Sequence, residues 1–328
     1  MNLYKNKSIL ITGGTGSFGK SFVSYLLKKK YPFSRIIIFS RDEFKQAEMA
    51  KQFVEKNNSN LRFFLGDVRD KERLLFAFRD IDYVIHAAAL KQVPAAEYNP
   101  IEFIKTNVLG SQNIIEASLI NKVTKVLALS TDKAVAPINL YGATKLCAEK
   151  LFVAANNIVG KNKTSFSIIR YGNVMGSRGS VLPEFLKHNT KNIFNITDLR
   201  MTRFNILMQE AINLVVWSLE NSLGGEIFIP KLKSFKITDL AKSVNEKYKF
   251  NVTGIRPGEK LHEELITFLE SSFTFDLGNL YSILPRNLQH KYNKKLLQKK
   301  IKKPFSYNSE ENNFLSIKEI KKILKENF

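Results

Sequence analysis

Cysteine occurs once in this chain, as Cys147, so an internal disulfide and any multi-cysteine metal site are excluded. Two positions past Lys145 on the same expected helix, Cys147 reads as a small packing residue. Histidine is nearly as scarce, and the residues at 86, 188, 262 and 290 show no pair at metal-ligand spacing. No metal is expected. No apolar run approaches the roughly 18 residues of a membrane span, and Met1 to Leu10 lacks the apolar stretch of a signal peptide; the expected location is the cytoplasm. Acidic side chains are outnumbered, 30 against 51 Lys and Arg, which leaves a formal charge of +21. The densest basic run, Lys291 to Lys303, has only Leu296, Leu297 and Ile301 as an apolar stripe and reads as a solvated amphipathic face, with a surface for acidic lipid or RNA as the alternative. There is no zinc-finger spacing, RNA-recognition signature or repeat to support a nucleic-acid partner. A positive cleft still suits an anionic nucleotide.

What the chain does have is a regular alternation. Apolar strand-like runs near residues 8, 36, 61, 83, 124 and 166 alternate with helical patterns near 19, 43, 72, 100, 140 and 182, which argues a doubly wound parallel α/β sheet. The first run, Ser8-Ile9-Leu10-Ile11-Thr12, leads directly into Gly13-Gly14-Thr15-Gly16-Ser17-Phe18-Gly19 and then an apolar-periodic helix. Glycines at 13, 16 and 19 let helix N-terminal amides approach a pyrophosphate. The sheet is therefore expected to be of the Rossmann kind, with a dinucleotide cofactor. The second run ends in Ser40-Arg41. A hydroxyl and a guanidinium there suit a ribose 2′-phosphate and so NADP, with Lys45 as helper; Asp42 keeps NAD as the alternative. Asp67 and Val68, then Ala87, Ala88 and Ala89, end the next two runs and fit the same cofactor, Asp67 as acceptor for an adenine amino group and the alanines as a small-residue floor. His86 reads as a packed strand-end residue.

Acid–base chemistry is concentrated in Ser130-Thr131-Asp132-Lys133 and Tyr141-Gly142-Ala143-Thr144-Lys145. Tyr141 and Lys145 share a helix face, so the ammonium can stabilise a phenolate whose ordinary pKa is about 10. A Tyr-x-x-x-Lys string alone occurs on any helix; its place after a strand-end Asp-Lys pair is what points to catalysis. Residues 1–172 are expected to form the cofactor domain and 173–328 a smaller α/β substrate lobe interleaved with it, because no Pro/Ser-rich linker separates them.

Together with His86-Ala87-Ala88-Ala89-Leu90-Lys91, Arg170-Tyr171-Gly172-Asn173-Val174 and Arg256-Pro257-Gly258-Glu259-Lys260, these motifs closely resemble, in order, the inverting UDP-N-acetylglucosamine 4,6-dehydratases that open pseudaminic acid synthesis, extended short-chain dehydrogenases. The resemblance implies a lyase with recycled, tightly bound NADP, in which Tyr141, Lys145 and Thr131 serve C4 oxidation and Asp132 with Lys133 the loss of water. A lysine base beside a carboxylate implies a pair sharing one proton, Asp132 protonated and Lys133 neutral; a structural salt bridge is the bland alternative. The resemblance further implies Asn107 at the cofactor, and Lys91, Asn173, Val181, Thr197, Arg203, Arg256 and Glu259 at the UDP-sugar. It also implies a homo-oligomer, a hexamer by family analogy, and a product used for surface structures such as flagellin. Dehydratase-epimerases of the N-acetylfucosamine pathway, UDP-sugar 4-epimerases and a non-enzymatic NADP-binding regulator are the alternatives.

Overall fold

The computed structural model describes residues 3–54, 59–187 and 193–328; His188 lies outside the described residues. The chain opens with β1 (Ser8–Thr12), α1 (Ser17–Lys28), β2 (Arg35–Ser40), α2 (Glu43–Val54), β3 (Leu61–Leu65), α3 (Lys71–Ala77) and β4 (Tyr83–His86). It continues through α4 (Val93–Tyr98), α5 (Pro100–Phe103), a π-helical turn (Ile104–Leu109), α6 (Gly110–Ile120), β5 (Lys125–Thr131), α7 (Leu140–Ala155) and β6 (Ser165–Tyr171). These six strands pair in parallel in the order β3-β2-β1-β4-β5-β6. The expected alternation is therefore present, and its cause is visible in burial. All five residues of β1 and the last five of β2 are buried, as branched apolar strands must be when helices cover both faces. Strand order reverses between β1 and β4, which opens a crevice at their carboxyl ends.

The remainder of the chain contributes α8 (Val181–Lys187), β7 (Ile193–Ile196), β8 (Thr202–Phe204), α9 (Met208–Asn221), β9 (Ile227–Pro230), β10 (Ser234–Lys236), α10 (Ile237–Val244) and β11 (Lys249–Val252). β12 (Glu264–Ile266), α11 (Phe268–Ser271), β13 (Thr274–Asp276), β14 (Leu280–Ile283), α12 (Lys294–Leu297), β15 (Tyr307–Asn308) and α13 (Ile317–Asn327) complete it. β9 adds to β6 in parallel, and β14 and β13 then extend the sheet antiparallel to nine strands. Chain after residue 173 thus alternates, starting a second lobe before β9 joins the first sheet and returning to that lobe before and after β13 and β14 join it. That lobe has its own core, in which Leu182, Phe185, Phe194, Phe235, Leu240 and Ile320 are buried together.

One expectation from the sequence is corrected here. Cys147 is exposed, not packed: Tyr141, Lys145 and Glu149 turn the inner face of α7 toward the sheet, and a residue two past Lys145 points the other way. In the lysine-rich run Lys294, Lys295, Lys299, Lys300, Lys302 and Lys303 are exposed, as a solvated amphipathic face requires. Within it Lys294–Leu297 is α-helical; Leu296 and Leu297 pack on Phe275, Leu284, Leu288 and Tyr292, and the following residues bond to edge strand β13 through Asp276 N–H to Lys299 O and Ile301 N–H to Thr274 O, each 2.9 Å. The strap covers an edge and surrounds it with lysines, two ways of preventing further strand addition.

One buried ion cluster ties the lobes. Arg170 on β6 is 1% exposed. Its Nη2 lies 2.6 Å from Glu149 of α7 and 2.9 Å from Glu270 of α11, and its Nη1 donates to Leu265 O at 2.9 Å. Removing one partner of a buried cluster strands the others. Arg170→Met is expected to lower the unfolding free energy in urea by about 3–5 kcal/mol; a loss under about 1 kcal/mol, the scale of a surface pair, would contradict the clamp.

Candidate active site

The crevice is a cleft of about 730 Å³. At one end β1 runs into Gly13, whose φ of +65° and position, 2.8 Å from Ala88 N to an added Cβ, leave no room for a side chain. Gly16 caps α1 without a side-chain bond, and no acidic residue sits in the first helical turn. The positive end of the helix is thereby kept for an anion. Thr15, Ser17, Phe18 and Gly19 line the cleft with it, Ala87, Ala88 and Ala89 pave its floor, and Val68 closes a side. These residues fit a dinucleotide cofactor.

Beyond β2 the charges are arranged in pairs. Asp42 is ion-paired with Lys45, and that bond lowers its carboxyl pKa. Asp67 is ionised below its ordinary range: burial raises it, but hydrogen bonds from the Arg69 side chain and backbone outweigh that, with Arg41 3.7 Å away. The Ser40 hydroxyl accepts from Gln46 Nε2 at 3.0 Å and so is held toward α2. Asn107 sits on the π-helical turn behind the cleft wall. Its amide donates to Leu90 O (2.9 Å) and Thr144 Oγ1 (3.0 Å), and its oxygen accepts from Leu90 N (2.9 Å). It fixes the loop bearing Lys91 instead of lining the cavity.

The acid–base residues meet where β5 ends. Thr131 leads into the 3-10 turn Asp132–Ala134, and Asn139 caps α7 by accepting from Gly142 N at 2.8 Å. Turn and helix are in direct contact: a Cβ on Gly142 would fall 2.1 Å from Lys133 O. Tyr141 consequently lies beside Thr131, whose hydroxyl lowers the pKa of the phenol. Burial pushes the phenol up to about 12, against the charge of Lys133 and the neighbouring Thr131 hydroxyl. Lys145 donates to Leu129 O at 2.7 Å, and burial pushes it down to about 8.

Lys133 is held between two carboxylates. Its Nζ is 3.2 Å from Asp132 Oδ1, 2.9 Å from Glu263 Oε1 and 3.2 Å from Asn173 Oδ1. Asp132 is fully buried and Glu263 is 2% exposed. Thr131 Oγ1 donates to Asp132 Oδ1 at 2.8 Å. Burial raises the Asp132 pKa despite Lys133. Glu263 moves the other way, because Lys133 and Arg203 outweigh its burial. Lys133 is itself raised, since Asp132 and Glu263 outweigh burial. To the expected sharing of one proton by Asp132 and Lys133 the fold adds a second carboxylate: Glu263 favours the charged form of Lys133, while burial favours the acid form of Asp132.

Comparison with known proteins matches this architecture. Residues 9–285 fit the family described as polysaccharide biosynthesis protein. A UDP-N-acetylglucosamine 4,6-dehydratase (inverting) of Campylobacter jejuni is 54% identical over 286 residues, 86% of this chain and 84% of that protein. The chain belongs to the polysaccharide biosynthesis protein family that includes this dehydratase. A UDP-glucose 4-epimerase of Rickettsia bellii is 42% identical over 331 residues, 98% of this chain and 96% of that protein. The X-ray structure of Pen from Bacillus thuringiensis superposes with a TM-score of 0.91 at 37% identity, covering 100% of both chains.

In this member of the family the expected substrate residues divide. Lys91 and Asn173 line the cleft, and Lys91 Nζ donates to Arg178 O at 3.0 Å. Val181, Thr197, Arg203, Arg256 and Glu259 are not among its lining residues. Thr197 bonds Met201 Sδ at 3.0 Å, and Arg256 and Glu259 pair with each other at 3.0 Å. Arg203 is buried and donates to the carbonyls of Thr202, Leu261 and Lys260, so its planar fork orders the loop before β12. Sequence reasoning missed Glu263 and Arg178. Arg178 lines the cleft opposite the glycine turn, with Nη2 3.5 Å from Thr15 O; only its place between Gly176 and Gly179 hinted at it. His86 is a core residue, bonded through Nδ1 to Thr12 Oγ1 at 2.8 Å and pushed down to about 3 by burial. Among the described residues no metal-binding group of His, Cys, Asp or Glu is found.

Lys145 gives a pH prediction. Its folded pKa of about 8 lies below its ordinary 10.5, so between those values the unfolded chain holds more protons, and stability rises with pH through this group. Urea unfolding across that window should show a rise in the wild type that Lys145→Met lacks. Equal slopes would contradict a buried, depressed lysine.

Proposed function

We propose that the protein is an inverting UDP-N-acetylglucosamine 4,6-dehydratase that retains NADP through its cycle. The observation that supports this most is the presence of two proton-handling units in one cleft, Thr131, Tyr141 and Lys145 beside the buried Asp132–Lys133–Glu263 cluster. An alcohol oxidation needs only the first. Removing water across the next two carbons needs a further base and acid, which the second unit supplies.

In this reading Tyr141 takes the proton of the sugar C4 hydroxyl, with Thr131 orienting the phenol, the cation at 133 lowering its buried pKa toward use, and Lys145 one helical turn away on the same face. NADP, which Gly13, Thr15, Gly16, Ser17 and the alanines at 87–89 would hold, would supply the redox chemistry, hydride transfer from C4 and its return at C6. The ketone at C4 acidifies the C5 hydrogen. The pair at 132 and 133 removes that proton and protonates the departing C6 hydroxyl; reprotonation of C5 from the opposite face inverts the centre. Arg41, Lys45 and Arg178 place more positive than negative charge around Asp42 and Asp67, which favours a 2′-phosphate. Lys91 and Asn173 are the residues placed to meet the sugar nucleotide. By family analogy the reading extends to a homohexamer in the cytoplasm whose product enters pseudaminic acid synthesis for surface structures such as flagellin.

The name of the Rickettsia relatives supports a second reading, 4-epimerisation, which uses Tyr141, Lys145 and Thr131 but leaves Asp132 and Lys133 without work at C5 and C6. Incubation with UDP-N-acetylglucosamine and NADP in deuterated water, followed by NMR, separates the two. The expected product is a 4-keto-6-deoxy sugar of L configuration with deuterium at C5. Retained D configuration would remove inversion, and a C4 epimer with its C6 hydroxyl intact would favour epimerisation.

A further inference from the structure

Glu263 comes from the lobe that follows the main sheet, yet its carboxylate makes the shortest contact of Lys133, 2.9 Å against 3.2 Å to Asp132. The side chain is 2% exposed, and its Oε2 has no hydrogen-bond partner among the described residues; the same holds for Asp132 Oδ2. Buried carboxylate oxygens are costly to leave unpaired, and here two are left at the two ends of one lysine. On Glu263 that leaves spare acceptor capacity beside the ammonium. The backbone is arranged to keep Glu263 in place: its N–H donates to Ser309 Oγ at 2.9 Å, and Arg203 Nε lies 3.8 Å from Oε1. The neighbouring Glu264 turns away to accept from Ser306 Oγ.

A lysine that must take a proton from carbon has first to lose its own, and an adjacent acid already holding a proton cannot receive it. We infer that Glu263 is a positioning residue of the elimination step: its carboxylate receives a proton from Lys133, freeing the amine to act on C5. This deepens the dehydratase reading and rests on it. The protons balance. At rest the cluster is an ammonium at Lys133, a carboxylic acid at Asp132 and a carboxylate at Glu263, two movable protons in all. One proton crosses from Nζ to Oε1. The C5–H bond breaks, its proton goes to Nζ and its electron pair becomes the C5–C6 double bond; the C6–O bond breaks as the oxygen takes the Asp132 proton and leaves as water. The cluster ends as an ammonium at 133, an acid at 263 and a carboxylate at 132, again with two movable protons and no net change in charge. Return of the proton from Glu263 to Asp132 through Lys133 resets it.

The test uses the NADP-loaded enzyme, mixed rapidly with UDP-N-acetylglucosamine. Nicotinamide reduction reports C4 oxidation, and formation of 6-deoxy product by quenched NMR reports elimination. Glu263→Gln keeps the size and polarity of the side chain but cannot accept the proton. It should reduce nicotinamide at close to the wild-type rate while eliminating about a hundredfold more slowly, the scale of one lost proton-transfer partner. Because Lys133 must then lose its proton to solvent, that slow rate should climb about tenfold per pH unit where the wild type is flat. Glu263→Asp should recover part of the rate and flatten the profile, and it decides the matter if the glutamine variant does not fold. Elimination within about threefold of wild type in the glutamine variant overturns the proposal, as does, in either variant, an equal fall in both steps, the mark of a structural role. A wild type that never reduces nicotinamide overturns the dehydratase reading itself, an outcome distinct from failure at Glu263 alone.

Discussion

An ammonium removed from water is tolerable only when opposite charges and hydrogen bonds replace its hydration, and Lys133 obtains that replacement from two distant parts of the chain. Asp132 precedes it on the same turn, while Glu263 is delivered by the loop entering β12. Neither carboxylate alone would give the same result. With Asp132 only, the pair would tend toward neutrality in a dry cleft; with Glu263 added, the lysine holds its proton and Asp132 is left as the group that burial favours in its acid form. The two lobes must therefore be seated on one another before the chemistry can be set.

The scaffold around this cluster serves that seating. Arg170 binds the inner face of α7 to α11, so the helix presenting Tyr141 and Lys145 is anchored to the lobe presenting Glu263. Gly142 allows the Asp132–Ala134 turn to rest on the first turn of α7, which couples the position of Lys133 to that of Tyr141. Arg203 orders the carbonyls of Leu261 and Lys260 just ahead of Glu263. Such supporting shells are what hold a reactive geometry within a fraction of an ångström.

Local features were legible before any coordinates. The glycine turn at 13–19, the six parallel strands and the shared face of Tyr141 and Lys145 depend on spacing within one or two elements, and spacing is what a sequence displays. The antiparallel extension by β13 and β14 depends on pairing between short strands separated by a whole lobe, and the use of the run at 291–303 as a strap on an edge strand depends on Leu296 and Leu297 meeting Phe275, which spacing does not display. Glu263 was hidden for a related reason. It adjoins Glu264, and only tertiary packing decides which of the two is buried. Arg203 shows the converse: an arginine in a suggestive motif had its donors committed to main-chain carbonyls, which no motif reveals.

Protonation of the cluster can be observed directly. Carboxyl-labelled aspartate and glutamate, followed by carbon NMR across pH in the unliganded protein and assigned with Asp132→Asn and Glu263→Gln, would give each side chain its own titration. The account predicts an Asp132 signal that stays protonated well above the ordinary aspartate value of about 3.9, with Glu263 ionised over the same interval. An Asp132 signal that ionises at the ordinary value, or a Glu263 signal that holds the proton instead, would contradict it.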